Sequence, residues 1–175
     1  VSPVIIFHGP PNAGKSSQAR QLAQRHHYVY ISSGEVLRHA NDPVITARLA
    51  SGQLALSEDV ERLMQEGLRA IPADQTIVID GFPRMLGEFH HLEEWLADLG
   101  RPVQTVFEVS ISEDESHRRS QGRGRHDDHA IAERWRWYRQ ETAQVLDYCA
   151  TKGWLVRVDG LGTPDEVAAR IEAAL

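Results

Sequence analysis

Two short stretches hold residue types that could do chemistry together. The first, "GPPNAGKS" from Gly9 to Ser16, has the spacing G-x-x-x-x-G-K-S. Its glycines let backbone N–H groups face the oxygens of a phosphate, Lys15 supplies a mobile positive charge, and the Ser16 hydroxyl can reach a magnesium ion. The second, "GFPRMLGE" from Gly81 to Glu88, places Pro83 where a first helical turn is expected. Arg84 would then sit at the positive end of the helix dipole, where a cation is disfavoured, so an anion should compensate it. Glu88 lies one turn further on, in the weaker orientation for an i,i+4 pair with Arg84.

The elements around these stretches suit the chemistry. "PVIIF" reads as a buried strand and "SSQARQLAQRHH" as a helix, so the phosphate-binding pattern falls between strand and helix. "YVYIS", "TIVID", "TVFEVSI" and "WLVRV" read as four further buried strands. Strands alternating with helical pattern imply a mainly parallel sheet covered on both faces. "TIVID" ends in Asp80, an acid at a strand end that suits a Mg²⁺ ion held through its water shell; the alternative is a capping or turn aspartate.

Between "YVYIS" and "TIVID" no strand is expected, only short helices: "SGEVLRHA", "DPVITARLA" capped by Asp42, and "SEDVERLMQEGLRA" capped by Ser57. A second interruption, "RRSQGRGRHDDH", precedes a long helix expected from about Ala130 to Ala150. In that region Arg118, Arg136 and Arg139 read as solvated or paired helix residues, and "WRWYR" packs Trp135 or Tyr138 inward at helical spacing. The pairs His26–His27 and His90–His91 lack a third ligand at metal spacing and read as solvated.

Size and charge narrow the classes. With 175 residues and 41% hydrophobic content the chain suits one core rather than two large domains. A formal net charge of −6 argues against a broad nucleic-acid footprint, so an RNA-stacking reading of the basic, aromatic stretch from Arg118 to Arg139 is disfavoured. Cys149 is the one cysteine, which leaves neither an intrachain disulfide nor a multi-cysteine zinc site and suits a reducing cytoplasm. The opening "VSPVIIFHGP" lacks the pattern of a secretory signal, and no run approaches the roughly 20 apolar residues of a membrane span.

Taken in order, "GPPNAGKSSQA", "ISSGEVLR", "DGFPR", "GRGRHDD" with "IAERWRWYRQET", and "VRVDGLGTPDEV" resemble the adenylate kinase family of nucleoside monophosphate kinases over essentially the whole chain. The resemblance implies an α/β fold of the P-loop nucleoside-triphosphate-hydrolase type: a five-stranded parallel sheet flanked by helices, a helical acceptor-binding flap and a short lid. It implies one kinase domain over 1–175, with the core at 1–31, 72–118 and 129–175, the acceptor insertion at 32–71 and the lid at 119–128.

By the same resemblance ATP is the phosphoryl donor, Mg²⁺ the cofactor and AMP the default acceptor. ATP would lie on Gly9, Pro10, Pro11, Asn12, Ala13, Gly14, Lys15, Ser16 and Ser17, with Arg119 against its base and Gly162 nearby. The acceptor would meet Ser33, Gly34, Arg38, Gly52, Leu54, Leu56, Gly81, Arg84 and Glu88. Lys15, Arg84, Arg123, Arg125 and Arg134 would gather on the transferring group, Arg125 and Arg134 also touching the acceptor, while Ser16 and Asp80 would serve the metal. Expected partners are small-molecule nucleotides, with no nucleic acid, no membrane and no second subunit.

The bottom-up chemistry agrees. Transfer between two phosphates needs no base to make a nucleophile, only charge neutralisation and alignment, for which arginines and one lysine suffice. Four departures from the family stand out. Asn12 replaces a glycine but tolerates positive φ, Ser16–Ser17 replaces glycine–threonine, and "GQLALSEDV" alters the flap. At Glu88 the family carries a glutamine that both donates to and accepts from adenine. A carboxylate only accepts, so Glu88 either favours a different base, such as that of GMP, CMP or a modified nucleotide, or reads nothing from solvent. A nucleotide-binding regulatory module without turnover is the remaining reading.

Overall fold

The structure is a computed structural model that describes residues 2–51, 55–122 and 128–175, with side chains described for 2–51, 55–121 and 131–175. In chain order the elements are β1 (Val4–His8), α1 (Lys15–His26), β2 (Val29–Ser32), α2 (Ser33–Arg38), α3 (Pro43–Ala50), α4 (Ser57–Ala70), β3 (Ile77–Asp80), α5 (Leu86–Asp98), β4 (Val103–Ser110), α6 (Glu113–Gly122) and α7 (Asp128–Trp137). A π-helical turn, Tyr138–Thr142, then leads into α8 (Ala143–Thr151), β5 (Leu155–Asp159) and α9 (Pro164–Ala173). The five strands form one sheet in the order β2-β3-β1-β4-β5, and every neighbouring pair is parallel.

The central strands are apolar without alternation because both faces are covered. Val4, Ile5, Ile6 and Phe7 of β1 and Ile77, Val78 and Ile79 of β3 are all fully buried. One face packs Ile5, Phe7, Val78 and Phe107 against Ala19 and Leu22 of α1 and Val167 and Ile171 of α9. The other packs Ile6, Ile79 and Val106 against Met64 and Leu68 of α4, Phe89 and Leu92 of α5, and Val145 and Cys149 of α8. Each such apolar side chain contributes about 1.5–3 kcal/mol on burial, which holds the carboxyl ends of β1, β3 and β4 side by side. In open parallel sheets ligands gather outside those ends.

The strands lie within a few residues of their expected positions, and Asp42 caps α3 by accepting from Val44 N at 2.9 Å and Ile45 N at 3.3 Å. Three local expectations are corrected. Ser57 is the first residue of α4, whose cap Leu56 makes no side-chain bond, because the Ser57 hydroxyl is engaged elsewhere. Pro83 follows Phe82 through a cis peptide bond, and α5 begins only at Leu86, so Pro83 and Arg84 precede the helix instead of opening it. The long helix expected from about Ala130 to Ala150 runs without a break from Asp128 to Thr151, but it carries a π-helical turn, whose Thr142 donates to Arg84 O at 3.5 Å.

Candidate functional site

The loop between β1 and α1 wraps closely on the end of the sheet. A Cβ at Gly9 would stand 2.4 Å from Val109 O, so no side chain fits there. Asn12 takes a φ of 60° and Gly14, at the N-cap of α1, a φ of 89°, which turns the chain so that the first helical N–H groups open toward one crevice. The loop is braced from α6: Asn12 Nδ2 donates to Ser116 O at 3.1 Å and Ser116 Oγ donates to Pro11 O at 2.7 Å. Ala13 closes the loop through its N–H on Pro10 O at 3.3 Å, and Ser16 and Ser17 lie in the first turn of α1.

Around Lys15 the charges converge. Burial holds its ammonium below the usual lysine range, Asp80 opposes that shift, and Arg84 and Arg134 reinforce it by repulsion. Three cations, from the start of α1, the segment before α5 and the last turn of α7, thus lie within electrostatic reach of one another, with Asp80 as the nearby anion. Such a cluster is stable when a polyanion fills it. Beside it His8 is buried, its Nε2 without a hydrogen-bond partner among the described residues, and burial followed by repulsion from Lys15 lowers its pKa to about 4, against a smaller raising effect of Asp80. A neutral imidazole adds no charge to the cluster at pH 7.

Asp80 presents two different oxygens. Oδ2 accepts from the Tyr30 hydroxyl at 2.8 Å, while Oδ1 is buried with no partner among the described residues. An orphaned carboxylate oxygen beside a serine-bearing helix start is what a hydrated Mg²⁺ would satisfy, so Asp80 and Ser16 fit that ion. Tyr30 escaped the sequence reading because an aromatic residue in a buried strand reads as core. The signal was period two: with Ser32 in register with Asp80, Tyr30 lies on the same face two residues earlier. Burial and the Asp80 charge both push its phenol up, so it remains a donor.

Arg84 gathers the entrance of the flap. Its Nε donates to Gly81 O at 3.1 Å and its Nη2 to Ser33 Oγ at 3.5 Å, while Ser33 Oγ donates to Gly81 O at 2.8 Å. Arg38 folds over Gly34, where a Cβ would meet its Nη1 at 3.2 Å. The structure thus brings together Ser33, Gly81 and Arg84, with Gly34 and Arg38 on the adjoining helix. Leu56 lies exposed just before α4. Gly52, Leu54, Arg123 and Arg125 lie outside the described residues. Arg119 donates to Asn12 O at 3.2 Å, Ala13 O at 3.4 Å and Gly160 O at 2.8 Å, tying the phosphate loop to the loop after β5 that holds Gly162.

Glu88 is not the solvated helix residue that one of its two readings expected. It is 6% exposed, so it does not read solvent. Its Oε2 accepts from the backbone N–H of Arg84 at 2.7 Å and of Met85 at 3.4 Å, and its Oε1 accepts from the Ser57 hydroxyl at 2.5 Å. The carboxylate is the anion that the helix start wanted, engaged through backbone donors, and it pins α4 to α5. Three arginines pair as expected, Arg118 with Glu115, Arg136 with Glu133 and Arg139 with Glu113, whereas His91, read as solvated, meets Glu61 at 2.7 Å. Trp135 is buried. No cluster of metal-ligating residues occurs among those described, and no helix there is long and apolar enough to cross a membrane.

Comparison with known proteins agrees with this geometry. Residues 7–154 match the family model described as adenylate kinase. An adenylate kinase of Thermus thermophilus is 37% identical, the match covering 100% of this chain and 98% of that protein. Those of Deinococcus radiodurans and Mycolicibacterium paratuberculosis are each 36% identical, covering 96% and 98% of this chain and 94% and 98% of their own length.

Proposed function

The chain belongs to the adenylate kinase family, and we propose that it moves the γ-phosphoryl group of ATP to the phosphate of AMP in the crevice above β1 and β3. It is an ATP-dependent nucleoside monophosphate kinase, and nucleotides are its substrates. The observation that carries the reading is that Arg84 and Arg134 lie within electrostatic reach of the buried Lys15, beside Asp80 at the end of the sheet. An oxygen of the acceptor phosphate attacks the γ-phosphorus as the bond to the donor's β-γ bridging oxygen breaks, giving two nucleoside diphosphates. No proton needs to be removed first, so the residues act by position and charge.

The donor's phosphates lie along Gly9 to Ser17, where backbone N–H groups and Lys15 neutralise them. Arg84, Ser33 and Arg38 orient the acceptor phosphate, Arg134 approaches from α7, and Arg123 and Arg125 would add charge to the transferring group. Arg119 holds the loop and its guanidinium adjoins the donor base. Ser16 and Asp80 would hold Mg²⁺, which when bound offsets charge on the triphosphate. The ground for another acceptor was a carboxylate at position 88 open to the base. With both Glu88 oxygens engaged by the protein, AMP stands as the acceptor. The single cysteine, Cys149, is buried as a free thiol, which suits work in the cytoplasm.

The test is a panel of AMP, GMP, CMP and UMP with MgATP, read by a coupled assay for diphosphates. The highest kcat/KM is expected for AMP. Nucleotide binding without diphosphate from any acceptor would instead assign a regulatory module.

A further inference from the structure

We propose that Tyr30 is the positioning residue for the metal: its hydroxyl takes one oxygen of Asp80 so that the other stays turned toward the metal-bearing triphosphate. The inference rests on the kinase reading of the site. A carboxylate at a strand end can rotate, and Lys15 stands close enough to attract Asp80. Left to itself the carboxylate would turn both oxygens toward that ammonium and offer none to a hydrated cation. The Tyr30 bond of 2.8 Å to Oδ2 removes that freedom and leaves Oδ1 as the buried oxygen without a partner among the described residues.

The tyrosine is itself held. The Arg20 guanidinium lies 4.5 Å over its ring centroid, and Arg20 is fixed by Glu35 of α2 at 2.7 Å. Below, Tyr30 is pinned by the parallel pairing of β2 with β3, in which Tyr30 faces Val78 and Ser32 faces Asp80. The phenol therefore cannot follow Asp80 if the carboxylate swings, and acts as a fixed stop. Groups behind metal ligands that fix their orientation typically change metal affinity by about 10–100-fold when removed.

Tyr30→Phe removes the hydroxyl and keeps the ring under Arg20, so the fold should survive, as circular dichroism can verify. Mn²⁺, a paramagnetic stand-in for Mg²⁺, is titrated into the protein–ATP complex and followed by electron paramagnetic resonance. Wild type should hold Mn²⁺ more tightly than ATP alone, and the variant about tenfold more weakly than wild type. ATP binding without metal and the KM for AMP should not move, and turnover should recover as Mg²⁺ is raised. Mn²⁺ affinity within twofold of wild type overturns the inference while leaving the kinase reading intact. A wild-type complex no tighter than ATP alone overturns the metal role of Asp80 and the inference with it. A raised KM for AMP at unchanged metal affinity would make Tyr30 a structural support of the acceptor side, which also overturns it.

Discussion

The loop between β1 and α1 and the segment between β2 and β3 meet at the same crevice, yet they are held there by different means. The loop is contiguous: its free backbone N–H groups and Lys15 belong to one stretch, and its braces from Ser116 and Arg119 attach to main-chain carbonyls. The flap depends on side-chain pairs reaching across the fold, Ser57 with Glu88 and Ser33 with Arg84. Phosphate binding asks for charge and N–H groups, which a short local motif can supply. Placing a particular acceptor asks for geometry between elements, which no single stretch contains.

The sharpest break of this comparison is at the phosphate side. Lys15→Ala or Arg84→Ala should lower kcat by about 10²–10³, the cost typical of losing one preorganised donor in a water-poor site, with the fold kept. Steady-state kinetics on variants checked by circular dichroism measures it. Near-normal turnover in Lys15→Ala would take the catalytic charge away from the loop, and near-normal turnover in Arg84→Ala would take it away from the flap entrance.

The same contrast explains what could be read in advance. The strands were legible because Val4 to Phe7 and Ile77 to Ile79 are buried on both faces and run apolar without interruption. The phosphate loop was legible because glycines, lysine and serine sit at fixed spacing within eight positions. The π-helical turn was not, since Trp135, Thr142 and Leu146 keep the apolar stripe going while the backbone adds a residue. Ser57 and Glu88 stand 31 positions apart, and each taken alone fits an ordinary cap or an exposed helix residue. Tyr30 and Asp80 are separated by 50, and only strand register joins them.

A smaller effect tests how dry the loop's foundation is. His8 lies under the loop with a folded pKa of about 4 against an ordinary 6.5, facing Lys15 and Asp80. The unfolded chain therefore binds the extra proton between those values, so stability is complete above about pH 6.5 and falls as pH drops toward 4. The shift corresponds to about 3 kcal/mol when fully developed. His8→Leu should flatten the denaturation midpoint over that window in nucleotide-free protein. An equally steep loss in the variant would place the acid sensitivity elsewhere.

The smallest effect is expected where the flap meets α5. Glu88→Ala strands two backbone N–H groups and the Ser57 hydroxyl, and should cost about 2 kcal/mol of stability by denaturant unfolding. Glu88→Gln keeps most of this: the amide oxygen can accept from Arg84 N while the amide NH₂ donates to Ser57, whose hydroxyl accepts equally well, so about 1 kcal/mol is expected. The informative readout is then acceptor choice. Guanine offers adjacent N1–H and N2–H donors that suit a carboxylate, whereas adenine sets its N1 lone pair beside its amino group. If Glu88 read the base, the change to glutamine would raise the AMP-to-GMP ratio of kcat/KM by about tenfold or more. Because both carboxylate oxygens already serve the protein, the ratio should instead stay within about twofold, at matched salt and Mg²⁺. A tenfold rise would mean that Glu88 releases Ser57 when the acceptor enters, and would make the pair a reader of the base in place of a fixed pin between α4 and α5.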